Sequence, residues 1–260
     1  NSPYDGHLIA EIDLDDAERV ENVLETAYKL ALDHDKIIPA PQRIEILEKT
    51  AELVQAKAEE YAHQSAEEGG KPLIDSRIEL FRAVQGIREA AQSISKLTGH
   101  EIPMNLTSSS MNRIALTTRE PIGLVAAISA FNHPFNLIVH QVIPAVAVGC
   151  PVIIKPARTT PLSCLNLVNC LYEAGLPKEW CQMVVCESSL AEKLVTDSRV
   201  AFFSFIGSGE IGWMLRSKLS PGTRCALEHG GAAPVIIDHD ADLDDALPLL
   251  AKGGFYHAGQ

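Results

Sequence analysis

The stretch Phe202-Phe203-Ser204-Phe205-Ile206-Gly207-Ser208-Gly209-Glu210-Ile211-Gly212-Trp213 decides the fold. Its apolar, aromatic first half predicts a buried strand, and a segment with helical periodicity follows the glycines. A strand that breaks on glycines and opens a helix presents unpaired backbone N–H groups and the positive end of a helix dipole. Such turns bind anions, most often phosphates. The G-x-G-x-x-G spacing of Gly207, Gly209 and Gly212 also occurs in ordinary strand-to-helix turns, so both interpretations stay open here.

The chain around this stretch alternates short apolar strands with helices from residue 123 onward. Strands are predicted at 124–129, 152–155, 183–185, 201–205, 224–227 and 235–238, and helices at 135–148, 163–174, 189–195 and 211–219. This alternation predicts an α/β fold with a doubly wound, parallel, Rossmann-like sheet. Ligands of such sheets bind at the carboxyl ends of the strands.

The first part of the chain has a different character. Residues 1–102 predict a short strand at 7–12 and three long amphipathic helices, which we interpret as scaffold. Residues 103–122 alternate and are rich in β-branched residues, which predicts a ribbon of antiparallel strands. The predicted boundaries are therefore 1–102, 103–122 and 123–260.

Composition excludes several classes of function. The net charge of −12 over 260 residues disfavours a nucleic-acid or anionic-membrane partner. The longest apolar run, 137–148, is too short to span a bilayer, and no signal peptide is visible, so we expect a cytoplasmic protein. The six cysteines form no Cys-x-x-Cys pair, which indicates reduced core thiols. His133 and His140 lack a nearby acidic third ligand, and we predict no metal site.

Two strand ends carry candidate catalytic side chains. Asn132 follows the first strand and stands just before Pro134, where it can cap a helix or direct its amide into a cleft as an oxyanion donor. Glu228 follows the fifth strand, next to Gly230 and Gly231, which permit close backbone approach. It is a candidate general base, and an ordinary ion-paired glutamate is the alternative.

The second strand ends on Lys155 and is followed by Arg158. Two cations at the carboxyl end of a strand suit a phosphate-bearing or ribose-bearing ligand. A solvated loop explains the same residues equally well.

Five segments together resemble the aldehyde dehydrogenase superfamily, and the resemblance covers essentially the whole chain. The segments are Phe131-Asn132-His133-Pro134, Lys155-Pro156-Ala157, Phe205-Ile206-Gly207-Ser208, Leu227-Glu228-His229-Gly230-Gly231 and Phe255-Tyr256-His257-Ala258-Gly259-Gln260.

The resemblance implies a role for each matching position. Asn132 resembles the oxyanion amide, and Glu228 resembles the base that activates water. The remaining positions would hold NADP or NAD: Ser129 and Phe131 at the nicotinamide half, Gly207, Ser208 and Gly212 at the pyrophosphate turn, and Lys155 beside the ribose. Residues 1–102 and 123–260 then belong to the cofactor-binding domain, and 103–122 to an oligomerisation arm of a homodimer or homotetramer.

The same resemblance implies oxidation of an aldehyde to a carboxylic acid through a cysteine thioester. By the family's pattern the nucleophilic cysteine is the second residue past Gln260, with the catalytic domain after it. We therefore expect these 260 residues to be a cofactor-binding half that is inactive by itself. The Asn-His-Pro sequence resembles members that act on polar or anionic aldehydes, and we expect Asn136, Val139 and His140 to line the substrate entrance.

The sequence departs from the family at several positions. Arg158 stands where an acidic residue usually holds the adenosine ribose, which favours NADP over NAD. A glycine-bearing loop is replaced by Cys186-Glu187-Ser188-Ser189, Ile206 replaces a threonine, and Ala232 replaces a lysine. These changes leave open an alternative, a non-catalytic cofactor-binding member of the same fold.

Overall fold

The computed structural model describes residues 1–259, and the side chains of residues 1–257. Four helices come first, then a small antiparallel pair, then alternating strands and helices. The helices are α1 (Ala17–Leu32), α2 (Ala40–Ala56), α3 (Ala58–Gly69), α4 (Leu73–Ser93), α5 (Pro134–Val148), α6 (Pro161–Glu173), α7 (Ser188–Thr196), α8 (Gly209–Ser217) and α9 (Leu243–Phe255). The strands are β1 (Glu101–Ile102), β2 (Ala115–Leu116), β3 (Leu124–Ile128), β4 (Val152–Lys155), β5 (Cys181–Met183), β6 (Val200–Gly207) and β7 (Arg224–His229).

Strands β3 to β7 form one parallel sheet in the order β5-β4-β3-β6-β7. The chain winds outward from β3 to β5, returns to the centre, and continues through β6 to β7. The order therefore reverses between β3 and β6. The predicted α/β fold with a parallel sheet is confirmed, and this switch point is where ligands of such sheets bind.

Helices cover both faces of the sheet. Along β3, Val125 and Ala127 enter a core shared with α2 to α6, whereas Leu124 and Ala126 enter a second core with α1, α7 and α8. Because both faces are buried, the central strands read as continuous apolar runs. The N-terminal helices thus pack directly on the sheet.

Most of the cysteines lie in these two cores. Five thiols are buried and unpaired: Cys150, Cys164, Cys170, Cys181 and Cys186. Burial raises the pKa of each of them. Cys225, on β7, is only partly buried. No helix in the part of the chain that the structure describes is long and apolar enough to cross a bilayer.

The predicted ribbon is shorter than its sequence pattern suggested. Its antiparallel pairing joins β1 to β2 over two residues each, and β1 lies just before the predicted range. Between them, Thr107 and Ser110 exchange backbone and side-chain hydrogen bonds around a short 3₁₀ turn. These local bonds compete with a strand ladder, which accounts for the difference.

Two other predicted strands are absent from the described residues. Residues 7–12 and 235–238 have no strand pairing. Val235, Ile236 and Ile237 have strong strand propensity, but their side chains are exposed and no neighbouring strand offers a ladder. Propensity without a partner does not produce a strand at either place.

Candidate active site

A cleft of about 450 Å³ lies at the switch point of the sheet. The segments that follow β3 and β6, together with the end of β7, form its walls. Of the predicted site residues, the cleft brings together Phe131, Asn132, Gly207, Ser208 and Glu228. The amide and the carboxylate singled out from the sequence therefore face one volume.

Asn132 does not cap the helix that follows it. Helix α5 begins at Pro134 with His133 at the N-cap position, and no side chain of the cap residue bonds to the helix. Asn132 stands one residue earlier, and its side-chain oxygen has no hydrogen-bond partner among the described residues. The capping interpretation of Asn132 is wrong, and its amide is available to a ligand.

The first turn of α5 is satisfied instead by Glu79, a residue that the sequence analysis did not single out. One oxygen of its carboxylate accepts the N–H groups of Phe135 and Asn136, at 2.8 and 2.9 Å. Pro134 has no N–H, and the N–H of Leu137 donates to the His133 carbonyl. A carboxylate is also favoured by the dipole at a helix N-terminus. The start of α5 is therefore closed to any other anion.

Lys71 completes this arrangement. Its ammonium pairs with the other oxygen of Glu79, and the two side chains are 1% and 0% exposed. The same ammonium donates to the Asn132 carbonyl at 3.4 Å, and His257 Nε2 donates to that carbonyl at 2.6 Å. The rings of His257 and His133 lie 4.7 Å apart. Burial, followed by the charge of Lys71, lowers the pKa of His133.

Helix α8 begins in the opposite way, open to the cleft. The Ser208 hydroxyl accepts the N–H of Ile211 at 3.4 Å and so caps the helix. The N–H groups of Gly209 and Glu210 have no acceptor within residues 1–259. Two free N–H groups at a helix start make a fitting site for a phosphate.

The three glycines of this turn differ in how much space a side chain would have at their positions. A Cβ on Gly207 would lie 2.7 Å from the Phe205 ring, and one on Gly212 would lie 2.1 Å from His229 Nε2. A Cβ on Gly209 would meet the His229 ring only at 3.7 Å, an ordinary contact. His229, which the sequence analysis did not single out, therefore covers the turn. Gly212 has a packing requirement, and its predicted contact with a cofactor stays a prediction.

Two buried polar side chains lie behind the cleft. Ser129 follows β3, and its hydroxyl has no partner among the described residues. Gln141, on α5, donates to the carbonyl oxygens of Ile128 and Ser204 at 3.0 and 3.2 Å. Gln141 thus links β3 to β6 near their carboxyl ends. Val139, predicted to line the entrance, is instead buried in the core, and Leu137 lines the cleft.

Lys155 and Arg158 lie further along the same edge of the sheet, outside the cleft lining. Lys155 ends β4, and burial lowers the pKa of its ammonium. Arg158 borders a second cavity of about 440 Å³. Its guanidinium pairs with both oxygens of Glu187, at 2.8 and 2.9 Å. The structure therefore does not bring these two cations together with Asn132 and Glu228.

The fold and the cleft define a class: a doubly wound α/β protein whose ligand site, at the switch point, has the form of a dinucleotide site. The family model described as the aldehyde dehydrogenase family matches residues 1–260, and the chain belongs to this family. The resemblance drawn from the motifs is confirmed.

Individual relatives place the chain within that family. It is 37% identical over 220 residues to a 3-sulfolactaldehyde dehydrogenase of Priestia aryabhattai, covering 84% of this chain and 46% of the relative. The structure of a glyceraldehyde-3-phosphate dehydrogenase of Methanocaldococcus jannaschii complexed with NADP matches with a TM-score of 0.90 at 31% identity, covering 98% of this chain and 55% of that one. An NAD-dependent benzaldehyde dehydrogenase of Corynebacterium glutamicum matches with a TM-score of 0.88 at 31% identity, covering 100% and 56%. The chain spans about half the length of the curated relatives it matches.

Proposed function

We propose that the whole protein oxidises an aldehyde to a carboxylic acid with NAD(P), and that this chain supplies the cofactor site, the oxyanion amide and the general base. The observation that carries the proposal is the convergence of Asn132 and Glu228 on one cleft beside the open start of α8. The attacking thiol is proposed to be the second residue after Gln260, as in the family's pattern.

Asn132 is proposed to stabilise the oxygen of the attacked aldehyde. Among the described residues only the backbone carbonyl of Asn132 takes part in hydrogen bonds, so its side-chain N–H₂ group can donate to an oxygen as negative charge develops there. A donor fixed in advance contributes more in the transition state than in the ground state, and losing one costs about 10²–10³ in kcat.

Glu228 is proposed to take a proton from the water that releases the acid. It lies at the exposed end of β7 and makes no hydrogen bond to the described residues. Both of its oxygens are therefore available to a water molecule in the cleft.

NADP or NAD is the proposed cofactor, and its nicotinamide when bound supplies the hydride acceptor. The free N–H groups of Gly209 and Glu210, beside Ser208, suit its pyrophosphate. Ser129, proposed for the nicotinamide half, is buried behind the cleft two residues before Phe131, and its hydroxyl has no partner among the described residues. These unsatisfied groups support the assignment of a dinucleotide to this edge of the sheet.

Lys155 is proposed to contact the ribose of the same cofactor, and Arg158 to favour a 2′-phosphate. The ion pair with Glu187 weakens this preference, because it already offsets the charge of the guanidinium. One relative is described with NADP and another as NAD-dependent, so the family itself accommodates both.

The proposed substrate class is a small anionic aldehyde. Among the relatives, one is named for 3-sulfolactaldehyde and another for glyceraldehyde 3-phosphate, both anionic. Comparing anionic with long-chain aliphatic aldehydes of the same concentration tests this class. A preference for the aliphatic aldehydes would contradict it.

The function is tested by following NAD(P)H absorbance when the whole protein meets an aldehyde. Asn132→Ala should lower kcat by about 10²–10³. Glu228→Gln should retain a first burst of NAD(P)H and lose steady turnover, because the base is needed after hydride transfer. Glu192→Gln, which breaks only a surface pair with Lys218, is the matched control and should leave both measurements unchanged.

The alternative is a member that binds the cofactor without catalysis. The pairing of Arg158 with Glu187 is the observation that favours it, since it reduces the charge offered to the cofactor. Cofactor binding with no NAD(P)H formation from any aldehyde would select this alternative. The boundaries at 102/103 and 122/123, the homodimer or homotetramer, and the cytoplasmic location stay predictions.

A further inference from the structure

We propose that Lys71 and Glu79 are positioning residues that set the direction of the Asn132 amide. The inference rests on the proposed function, in which this amide stabilises the oxyanion. Neither residue lines the cleft, so both would act through the backbone between β3 and α5.

The pair of Lys71 and Glu79 contacts both ends of one short segment. Glu79 accepts the amides of Phe135 and Asn136, and the carbonyl of Asn132 accepts from Lys71 at 3.4 Å as well as from His257 at 2.6 Å. The segment 132–136 is therefore tied to one buried ion pair through three backbone groups. A change in the pair moves the backbone that carries the Asn132 side chain.

The Lys71–Glu79 ion pair does more than satisfy the start of a helix. Helix α6 also begins with a proline and is also closed by a buried glutamate. Glu68 accepts the N–H groups of Leu162 and Ser163, each at 2.9 Å, and the Ser163 hydroxyl at 2.5 Å. No ammonium pairs with Glu68 among the described residues. A helix start can thus be closed without a lysine, and Lys71 is distinguished by its additional contact to Asn132.

Substitutions at Lys71 and Glu79 change different atoms of this arrangement. Both amides of α5 donate to Glu79 Oε1, and Lys71 bonds to Oε2. In Glu79→Gln the side-chain carbonyl oxygen can therefore still accept the two amides of α5, while the new NH₂ group faces the Lys71 ammonium. Two hydrogen-bond donors then face each other without an acceptor. Lys71→Met leaves the Glu79 carboxylate on the helix start and removes the contact to the Asn132 carbonyl. The double variant Lys71→Met with Glu79→Gln removes the donor conflict and the buried charges together.

The experiment compares these variants of the whole protein with Glu68→Gln as the control. Lys71→Met should lower kcat about tenfold or more with less than a twofold change in KM for NAD(P). Glu68→Gln should change kcat less than twofold. The double variant should recover melting temperature relative to Glu79→Gln while its kcat stays low.

A merely structural role gives a different result, in which kcat recovers together with the melting temperature in the double variant. That result would overturn the inference. Hydrogen exchange supplies a second readout that does not depend on activity. The amides of Phe135 and Asn136 should exchange faster in Lys71→Met than in wild type or Glu68→Gln, because the Glu79 carboxylate that accepts them loses its buried partner, and unchanged exchange there would also overturn the inference. A wild-type protein that oxidises no aldehyde would instead count against the proposed function, and the exchange result would still decide whether the pair holds the segment.

Discussion

Helices α5 and α8 both begin at the switch point, and their first turns are satisfied in opposite ways. The start of α5 is closed from inside by Glu79, whereas at the start of α8 Ser208 lines the cleft and the next two N–H groups, of Gly209 and Glu210, have no acceptor within residues 1–259. The positive end of a helix attracts an anion in both cases. In α5 the anion is part of the chain, so this segment can present only its side-chain amide. In α8 the corresponding N–H groups have no acceptor within residues 1–259, so an anion there would have to come from outside the described chain.

The largest expected effect comes from removing the carboxylate that accepts the first amides of α5. Glu79→Ala removes the acceptor of two backbone amides and leaves the Lys71 ammonium buried without its partner. Breaking a buried pair in this way lowers the free energy of unfolding by about 3–5 kcal/mol. Chemical denaturation of the whole protein measures it. A loss below about 1 kcal/mol would mean that the start of α5 is not closed by this carboxylate.

The second prediction concerns a methyl group added in the first turn of α8, next to the His229 ring. Gly212→Ala forces the His229 ring to move, because the new Cβ would lie 2.1 Å from Nε2. Overpacking of this kind costs about 1–3 kcal/mol, and we expect cofactor affinity to fall at least about tenfold, measured by titration calorimetry. Gly253→Ala, inside α9, whose Cβ would meet nothing within 4 Å, is the matched control and should bind almost as tightly as wild type. Equal losses in the two variants would contradict the role assigned to His229.

The third prediction concerns the pH dependence of stability at the start of α6, where Glu68 accepts the first amides of the helix. Burial raises the pKa of the Glu68 carboxyl above its ordinary 4.5. The folded state thus binds a proton more tightly than the unfolded chain, so this group's contribution to stability is full below about pH 4.5 and decreases as pH rises through the raised pKa. The glutamine of Glu68→Gln does not titrate. The free energy of unfolding of wild type minus that of the variant should therefore be larger at pH 4.5 than at pH 7, by about 1 kcal/mol. Denaturation midpoints at both pH values measure this, and a difference that grows with pH would contradict it.

The smallest expected effect concerns the cations outside the cleft. Glu187→Gln removes the partner of Arg158, whose pair is about half exposed, with side-chain exposures of 51% and 54%. Exposed pairs contribute little, so the ratio of kcat/KM for NADP over NAD should rise by no more than about fivefold. Arg158→Gln should lower the same ratio. An unchanged ratio in both variants would remove Arg158 from cofactor discrimination.

The sequence predicted those parts of the molecule that depend on local pattern. Apolar runs separated by helical periods identified all five strands of the sheet, and parallel strands place their carboxyl ends at one edge. Asn132 and Glu228 could therefore be assigned to one cleft although 96 residues separate them in sequence. The alternation in 103–122 overstated a ribbon that pairs over only two residues on each side, and the strand predicted at 235–238 has no partner among the described residues.

The parts that escaped prediction depend on contacts between distant segments. Glu79 lies 56 residues before Phe135 in sequence, and on an amphipathic helix a buried glutamate cannot be told from a solvated one. The wrong capping interpretation of Asn132 has the same origin, because the position it was expected to occupy is taken by a carboxylate from α4. His229 was overlooked for a related reason, since only the fold brings its ring over Gly212.

The distribution of thiols has a practical consequence. Within residues 1–259, five cysteines are buried with raised pKa values and a sixth, Cys225, reaches the surface. Alkylating reagents attack thiolates, so within residues 1–259 the folded protein should accept one label and the opened protein five more. The masses of the peptides that carry the five buried cysteines, after brief alkylation, then report the fraction of opened molecules without any dye or engineered reporter.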